Sequence, residues 1–249
     1  MKPYYEHAGI AIYHGDSMEV LPELAGANVS AVVTDPPYSS GGLYRGDRSA
    51  STVAKYVQSG TQVYRPEFSG DNRDQRSFLI WCSLWLGAAR AASRAGAVCV
   101  TFTDWRQLPT MTDAIQVAGW TWRGLATWWK PGVRMQRGTF SHSAEYLVHG
   151  TNGPSENDRD GAQQNVFRCA TVDDVEKRHI AEKPLEVLSW ILHVTPADGA
   201  VLDPFMGSGS LLRAAKDMGR QAIGIEIEER YCEVAAKRLS QEVMFGATP

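Results

Sequence analysis

The chain has 249 residues, 43% of them hydrophobic, with 12 prolines, four cysteines and a formal net charge of −3. Such a length and apolar fraction can bury one sizeable core, and no repeat or low-complexity linker divides the sequence, so a single domain over residues 1–249 is expected. No run approaches the roughly 18 uninterrupted apolar residues of a membrane span, the amino terminus lacks a basic flank before an apolar core, and Cys82, Cys99, Cys169 and Cys232 form no Cys-x-x-Cys pair. The reading is a soluble intracellular protein, with no membrane partner, metal site or disulfide framework.

In chain order, the pattern predicts a strand at Ala11–His14, a helix from Ser17 and a buried strand at Val29–Val33 that runs into Thr34-Asp35-Pro36-Pro37-Tyr38. Ser39–Arg76 is too long and polar for an ordinary connection. A helix over Ser77–Ser93, a strand at Ala97–Thr103 and a helix from Trp105 follow. The aromatic strand Trp120–Trp129 cannot turn both Trp128 and Trp129 inward; it leads through a loop, Lys130–Ser143, to an antiparallel-looking strand at Glu145–His149. Gly150–Gln164 is polar and turn-rich, a surface loop. A helix at Pro184–Val194 precedes the strand Val201–Asp203, a glycine turn through Phe205-Met206-Gly207-Ser208-Gly209, a helix at Leu211–Met218 and a strand at Gln221–Glu226. Strands alternating with helices specify an α/β fold: a doubly wound, Rossmann-like, mostly parallel sheet with an antiparallel strand, binding its ligand at the strand carboxyl ends.

Charge is unevenly spread. From Ser39 to Arg137 there are 13 Lys and Arg against 6 Asp and Glu, a net of +7, which leaves −10 on the other 150 residues. The stretch places Arg45, Arg48, Lys55, Arg65, Arg73 and Arg76 among Tyr44, Tyr56 and Tyr64, the mixture of phosphate-pairing and stacking groups expected of a nucleic-acid surface. The loop at 130–143 adds Arg134, Arg137 and His142.

Two motifs carry the chemistry. Two successive prolines fix φ and remove two backbone donors, so the chain leaves the Val29 strand extended and rigid. Asp35 and the Pro36 carbonyl then accept hydrogen bonds without competition from Pro36 or Pro37, which suits an exocyclic amino group, and Tyr38 offers a face on which a base can stack. The glycine turn lets the backbone approach a ligand, yet it lacks both the Gly-Lys-Ser/Thr ending of a phosphate cradle and the three-glycine dinucleotide spacing, so a cofactor without phosphates is favoured. Glu226 stands about 20 residues beyond it, where an acid meets ribose hydroxyls.

Together these motifs resemble the S-adenosylmethionine-dependent amino-methyltransferases of DNA, in which Asp-Pro-Pro-Tyr and Phe-x-Gly-x-Gly occur together. His14-Gly15-Asp16 is similar to the acid-bearing turn near the cofactor adenine, and His179-Ile180-Ala181-Glu182-Lys183-Pro184 to the His-x-x-x-Lys-Pro segment, although Ile180 stands where the segment usually has a second proline. Motif order, catalytic first and cofactor last, resembles the β group, a circularly rearranged methyltransferase. The resemblance implies that Asp35, Pro36, Pro37 and Tyr38 hold the target base. It implies S-adenosylmethionine as cofactor, with Asp203, Phe205, Gly207 and Gly209 at its methionine end, Glu226 on the ribose, Asp16 near the adenine amino group, and Lys183 in the same site. DNA is the implied partner, contacted by Arg45, Arg48, Lys55, Arg134 and Arg137; a homodimer and a cognate restriction enzyme are left open. The setting implied is the cytoplasm of a bacterial or phage-infected cell.

An amino nitrogen conjugated to a ring is a poor nucleophile. Acceptance of its two protons by Asp35 and the Pro36 carbonyl favours a pyramidal nitrogen aimed at the methyl group, for direct in-line transfer to a base turned out of the duplex. Asp35 ahead of the prolines favours adenine N6, since a serine there more often accompanies cytosine N4 in the resembling family. Cytosine N4 is the close alternative, and an RNA or protein-amide methyltransferase or a non-enzymatic nucleic-acid binder the more distant ones.

Overall fold

A computed structural model describes residues 1–38, 73–133, 137–138, 140–155, 163–172 and 182–241. The described elements are β1 (Tyr5–His7), β2 (Ile10–His14), α1 (Ser17–Glu23), β3 (Val29–Thr34), α2 (Gln75–Ala92), β4 (Ser93–Thr103), α3 (Leu108–Val117), β5 (Thr121–Trp129), β6 (Ala144–Thr151), β7 (Val166–Arg168), α4 (Leu185–Leu192), β8 (Ala200–Asp203), α5 (Ser210–Asp217), β9 (Ala222–Glu226) and α6 (Glu229–Ser240). They build a nine-stranded sheet in the order β1-β2-β9-β8-β3-β4-β6-β5-β7. β2, β9, β8, β3 and β4 are mutually parallel, whereas β6 runs antiparallel to both its neighbours. This is the doubly wound, Rossmann-like sheet expected, with β1 as a further antiparallel edge.

One apolar layer lies on each face. Val187, Leu188, Ile191, Leu212, Ala215 and Ala235 from α4, α5 and α6 cover one side, and Val20, Phe78, Trp85, Leu86, Met111 and Ile115 from α1, α2 and α3 cover the other. β3 feeds both layers: Ala31 and Val33 join the first, Val29 and Val32 the second. Residues two apart on a strand share a face, so Val29 and Ala31 part company because the register shifts between them. Full burial of a Leu, Val or Phe side chain contributes about 1.5–3 kcal/mol each, which makes these central strands the rigid base of whatever they carry at their ends.

Several boundaries differ from the sequence reading. α2 begins at Gln75, because the Asp74 carboxylate accepts the amide protons of Arg76 and Ser77 and caps the helix; Arg76 is therefore helical. The helix expected from Trp105 starts at Leu108, since Asp104 accepts the amides of Arg106 and Gln107 and holds Trp105 and Arg106 in a turn. Gly150 and Thr151, placed in a loop by their polarity, complete β6; buried Thr151 pairs with both Val98 and Thr121. As the pleat demands, Trp128 is buried and Trp129 half-exposed. No helix among the described residues is long and apolar enough to cross a membrane.

Candidate active site

Acids gather at the carboxyl ends of the parallel strands. β3 delivers Asp35, β8 ends in Asp203, β9 ends in Glu226, and Asp16 follows β2. The ends of β3 and β8 are tied directly, the Thr34 hydroxyl donating to Asp203 Oδ1 at 2.6 Å, so the Asp-Pro-Pro-Tyr corner and the glycine turn share one anchor. The Ser17 hydroxyl, at the start of α1, donates to the Pro204 carbonyl at 2.5 Å and ties the third corner to the same turn.

At the turn, Asp203 also accepts the Phe205 amide at 3.1 Å. Burial pushes its carboxyl up to about 7; the hydrogen bonds from Thr34 and Phe205 oppose the rise, and the negative charges of Asp35 and Glu226 add to it. Glu226 Oε2 accepts the Gly207 amide at 3.0 Å and Oε1 the Glu228 amide at 2.9 Å. Burial holds this carboxyl above its ordinary value as well. Gly209 has φ +76° at the cap of α5, and a Cβ there would meet Ala235 Cβ at 2.8 Å, so packing against α6 is what requires glycine. Gly224 on β9 allows an equally close approach, a Cβ meeting Met206 Sδ at 2.5 Å. Phe205 leans on Trp81 and Trp85, with ring centroids 5.2 and 5.1 Å away, and the Arg73 guanidinium covers Trp81 at 4.1 Å. Asp16 is exposed and caps α1 through the Met18 amide at 2.8 Å.

These donors and acceptors decide what can bind. Among the described residues the carboxyl groups of Asp16, Asp203 and Glu226 outnumber the one guanidinium near the turn, that of Arg73, and suit a cation that also carries hydroxyl donors. Each carboxylate oxygen of Glu226 keeps a lone pair beyond the backbone amide it accepts. A sulfonium nucleoside with an amino-acid tail fits that set.

The Asp-Pro-Pro-Tyr corner holds a second cluster. Asp35 Oδ1 accepts the Tyr38 hydroxyl, and Oδ2 lies 2.6 Å from Lys183 Nζ. Lys183 also reaches Glu145 Oε2 at 3.1 Å, and Glu145 Oε1 lies 2.9 Å from Lys130 Nζ. The Lys183 ammonium stands 5.1 Å from the Phe102 ring centroid and 5.6 Å from that of Tyr38. Burial raises the Asp35 carboxyl, Lys183 pulls it back, and the balance stays above the ordinary range. For Glu145 burial is outweighed by Lys183 and Lys130, leaving it at about 2. Burial opposes the charge on Lys183, but Asp35 and Glu145 prevail and raise it. The Tyr38 phenol is held well up by burial and by Asp35 and Glu145.

Lys183, read from the sequence as a cofactor residue, is thus placed on Asp35 and Glu145. Glu145 and Lys130 escaped the sequence reading: nothing at positions 130 and 145 marks them until β5 and β6 pair, set Lys130 against Glu145, and bring Glu145 to the Lys183 ammonium that holds Asp35. Arg45, Arg48, Lys55, Arg134 and His179 lie outside the described residues, as does most of the 39–76 loop. Arg137 is exposed between β5 and β6. Trp105, just beyond β4, stacks on His142 with centroids 5.0 Å apart and planes 7° from parallel. Among the described residues no group of three His, Cys, Asp or Glu side chains is placed to hold a metal ion.

A doubly wound, Rossmann-like sheet thus carries its acids and the Asp-Pro-Pro-Tyr corner at the carboxyl ends of its parallel strands, the arrangement of the methyltransferase fold class. The family model described as DNA methylase, of the N6 and N4 type, matches residues 29–237, and the chain belongs to that family. It is 25% identical to the type II methyltransferase M.ScaI of Streptomyces caespitosus, across 97% of this chain and 84% of that protein. Its fold matches that of M1.HpyAVI, solved in complex with SAM, with a TM-score of 0.67, 21% identity and coverage of 93% and 100% of the two chains. The PvuII DNA methyltransferase, described as cytosine-N4-specific, matches with a TM-score of 0.72, 15% identity and coverage of 96% and 89%.

Proposed function

We propose that this chain, acting as one domain, methylates the N6 amino group of adenine in DNA, using S-adenosylmethionine and a base turned out of the duplex. The observation that carries the reading is Asp35 at the end of β3, followed by two residues without amide protons and joined through Thr34 to the glycine turn. S-adenosylmethionine, when bound, supplies an electrophilic methyl group. The protein's part is to hold and to orient. Asp35 and the Pro36 carbonyl accept the two amino protons; both Asp35 oxygens already accept from Tyr38 and Lys183, and each has a further lone pair for the incoming group. Glu226 takes ribose hydroxyls, Asp203 and the turn at Phe205, Gly207 and Gly209 hold the cationic end, and Asp16 lies toward the adenine.

Holding two reactants in line contributes on the order of 7–11 kcal/mol. Extruding the base costs a few kcal/mol, offset by stacking on Tyr38. Arg45, Arg48, Lys55, Arg134 and Arg137 neutralise phosphates in this reading. Cytosine N4 offers the same planar amino geometry and is the second reading. Incubation with labelled S-adenosylmethionine and unmethylated plasmid, followed by nucleoside mass spectrometry, tests both: N6-methyladenine is expected, N4-methylcytosine would replace the base assignment, and no DNA methylation would refute the function.

A further inference from the structure

Lys130, Glu145, Lys183 and Asp35 form a line of alternating charge, with separations of 2.9, 3.1 and 2.6 Å. They come from four parts of the chain: the end of β5, the start of β6, the segment before α4 and the end of β3. The side chains are 16%, 17%, 9% and 22% exposed, so the line is largely taken out of water. Burying ion pairs seldom stabilises a fold over apolar residues of similar volume, which points to a use in the chemistry.

The chemistry supplies one. A primary amino group that gains a methyl group, sulfur keeping the electron pair of the carbon–sulfur bond that breaks as the carbon–nitrogen bond forms, must shed a proton: an N–H bond breaks, an O–H bond forms on the acceptor, and the neutral methylated amine remains. Asp35 is the acceptor in contact with that nitrogen on the reading above, on which this inference rests, and its proton passes to water once the product leaves. We propose that Lys183 and Glu145 are positioning residues acting through Asp35: Glu145, clamped by Lys130, fixes the Lys183 ammonium against one Asp35 oxygen and so sets how readily that carboxylate takes the proton.

The line makes Lys183 and Glu145 work in opposite senses. Lys183 favours the ionised form of Asp35; Glu145 adds a negative charge nearby and shares the ammonium, and so favours the protonated form. The other groups bearing on Asp35 are Tyr38 from its own corner, Lys130 through Glu145, Asp203 across from β8, and Asp104 beyond β4 through Tyr38. None of these reverses the opposition.

Two readouts on the intact protein test this. The first is the pH dependence of single-turnover methylation of duplex DNA. The second is the titration of the Asp35 carboxyl carbon by NMR in protein carrying 13C-labelled aspartate, the signal being assigned by its loss in Asp35→Asn. Lys183→Met should move both midpoints upward by about one pH unit or more, and Glu145→Gln should move both downward. Lys183→Arg should stay near the wild type, and Lys130→Met, further from the core of the site, should move the midpoint upward by a smaller step. Midpoints that shift in the same direction in Lys183→Met and Glu145→Gln, or do not shift, overturn the proposal even where activity falls. If Lys183→Met does not fold, an unshifted midpoint in both Glu145→Gln and Lys130→Met overturns it. A wild type that methylates no DNA would refute the enzyme reading instead, and the NMR midpoints would still decide whether the line tunes Asp35.

Discussion

Replacing Asp203 by Asn should uncouple cofactor binding from proton release. Asp203 is 5% exposed at the end of β8 and titrates near 7, so in the free protein at pH 6 most of it is protonated. A cation beside it favours the carboxylate. Binding of S-adenosylmethionine should therefore expel close to one proton at pH 6, about half a proton at pH 7 and almost none at pH 8.5, and affinity should rise toward tenfold per pH unit from pH 5 to 7 before levelling. Calorimetry in buffers of different ionisation heat counts the protons directly. In Asp203→Asn the release at pH 6 should largely vanish. The same reasoning fixes a sign for stability: an acid whose folded value lies above its unfolded one stabilises fully only below the unfolded value, and that contribution is lost as pH rises through about 7. Ionising the buried group costs about 4 kcal/mol relative to an ordinary aspartate, an upper bound on the effect. The melting temperature of the free protein should fall between pH 4 and 8, and fall less in Asp203→Asn. An equal proton count in wild type and Asp203→Asn would refute the placement of the cationic end at this carboxylate.

Asp35→Ala should abolish methyl transfer while leaving S-adenosylmethionine affinity within a few-fold, measured by single-turnover assay and calorimetry; near-normal turnover would remove Asp35 from the chemistry. Glu226→Ala should weaken cofactor binding by about 1.5–3 kcal/mol and also lower thermal stability, because the Gly207 and Glu228 amides lose a charged acceptor. Unchanged affinity in calorimetry would move the ribose hydroxyls to another acceptor. The triple replacement of Arg45, Arg48 and Lys55 by alanine should make the plot of log affinity for duplex DNA against log salt shallower, by up to about 0.9 for each phosphate that is no longer neutralised, read by fluorescence anisotropy; an identical slope would leave the loop without an electrostatic role.

The legible parts of the molecule are those written in consecutive residues. Val29–Tyr38 shows its strand and its rigid exit because apolar run, acid and prolines are contiguous, and Asp203 through Gly209 shows its turn for the same reason. Short elements escape: β7 has three residues and gains its definition from Thr127, Trp128 and Trp129 of β5, partners about forty positions away. Trp105 reads as helical because local periodicity runs through it, while one side-chain carboxylate, that of Asp104, decides the turn. The motif around Lys183 points it toward the cofactor, and its ion pairs with Asp35 and Glu145 depend on a chain crossing that no spacing encodes. Glu145 is invisible for a related reason: an acid opening an apolar strand reads as an ordinary solvated end.

The strand order has a bearing on synthesis. β2 and β3 are made first among the parallel strands, yet β9 and β8 lie between them, so on the ribosome the inner edge of β3 stays unpaired until β8, residues 200–203, has emerged. An apolar strand with one open edge is a ready template for another chain. Until β8 is made, the strand leading into the Asp-Pro-Pro-Tyr corner therefore offers an open edge to neighbouring chains. Closure must await pairings distant in sequence, which places this sheet among the slow folders.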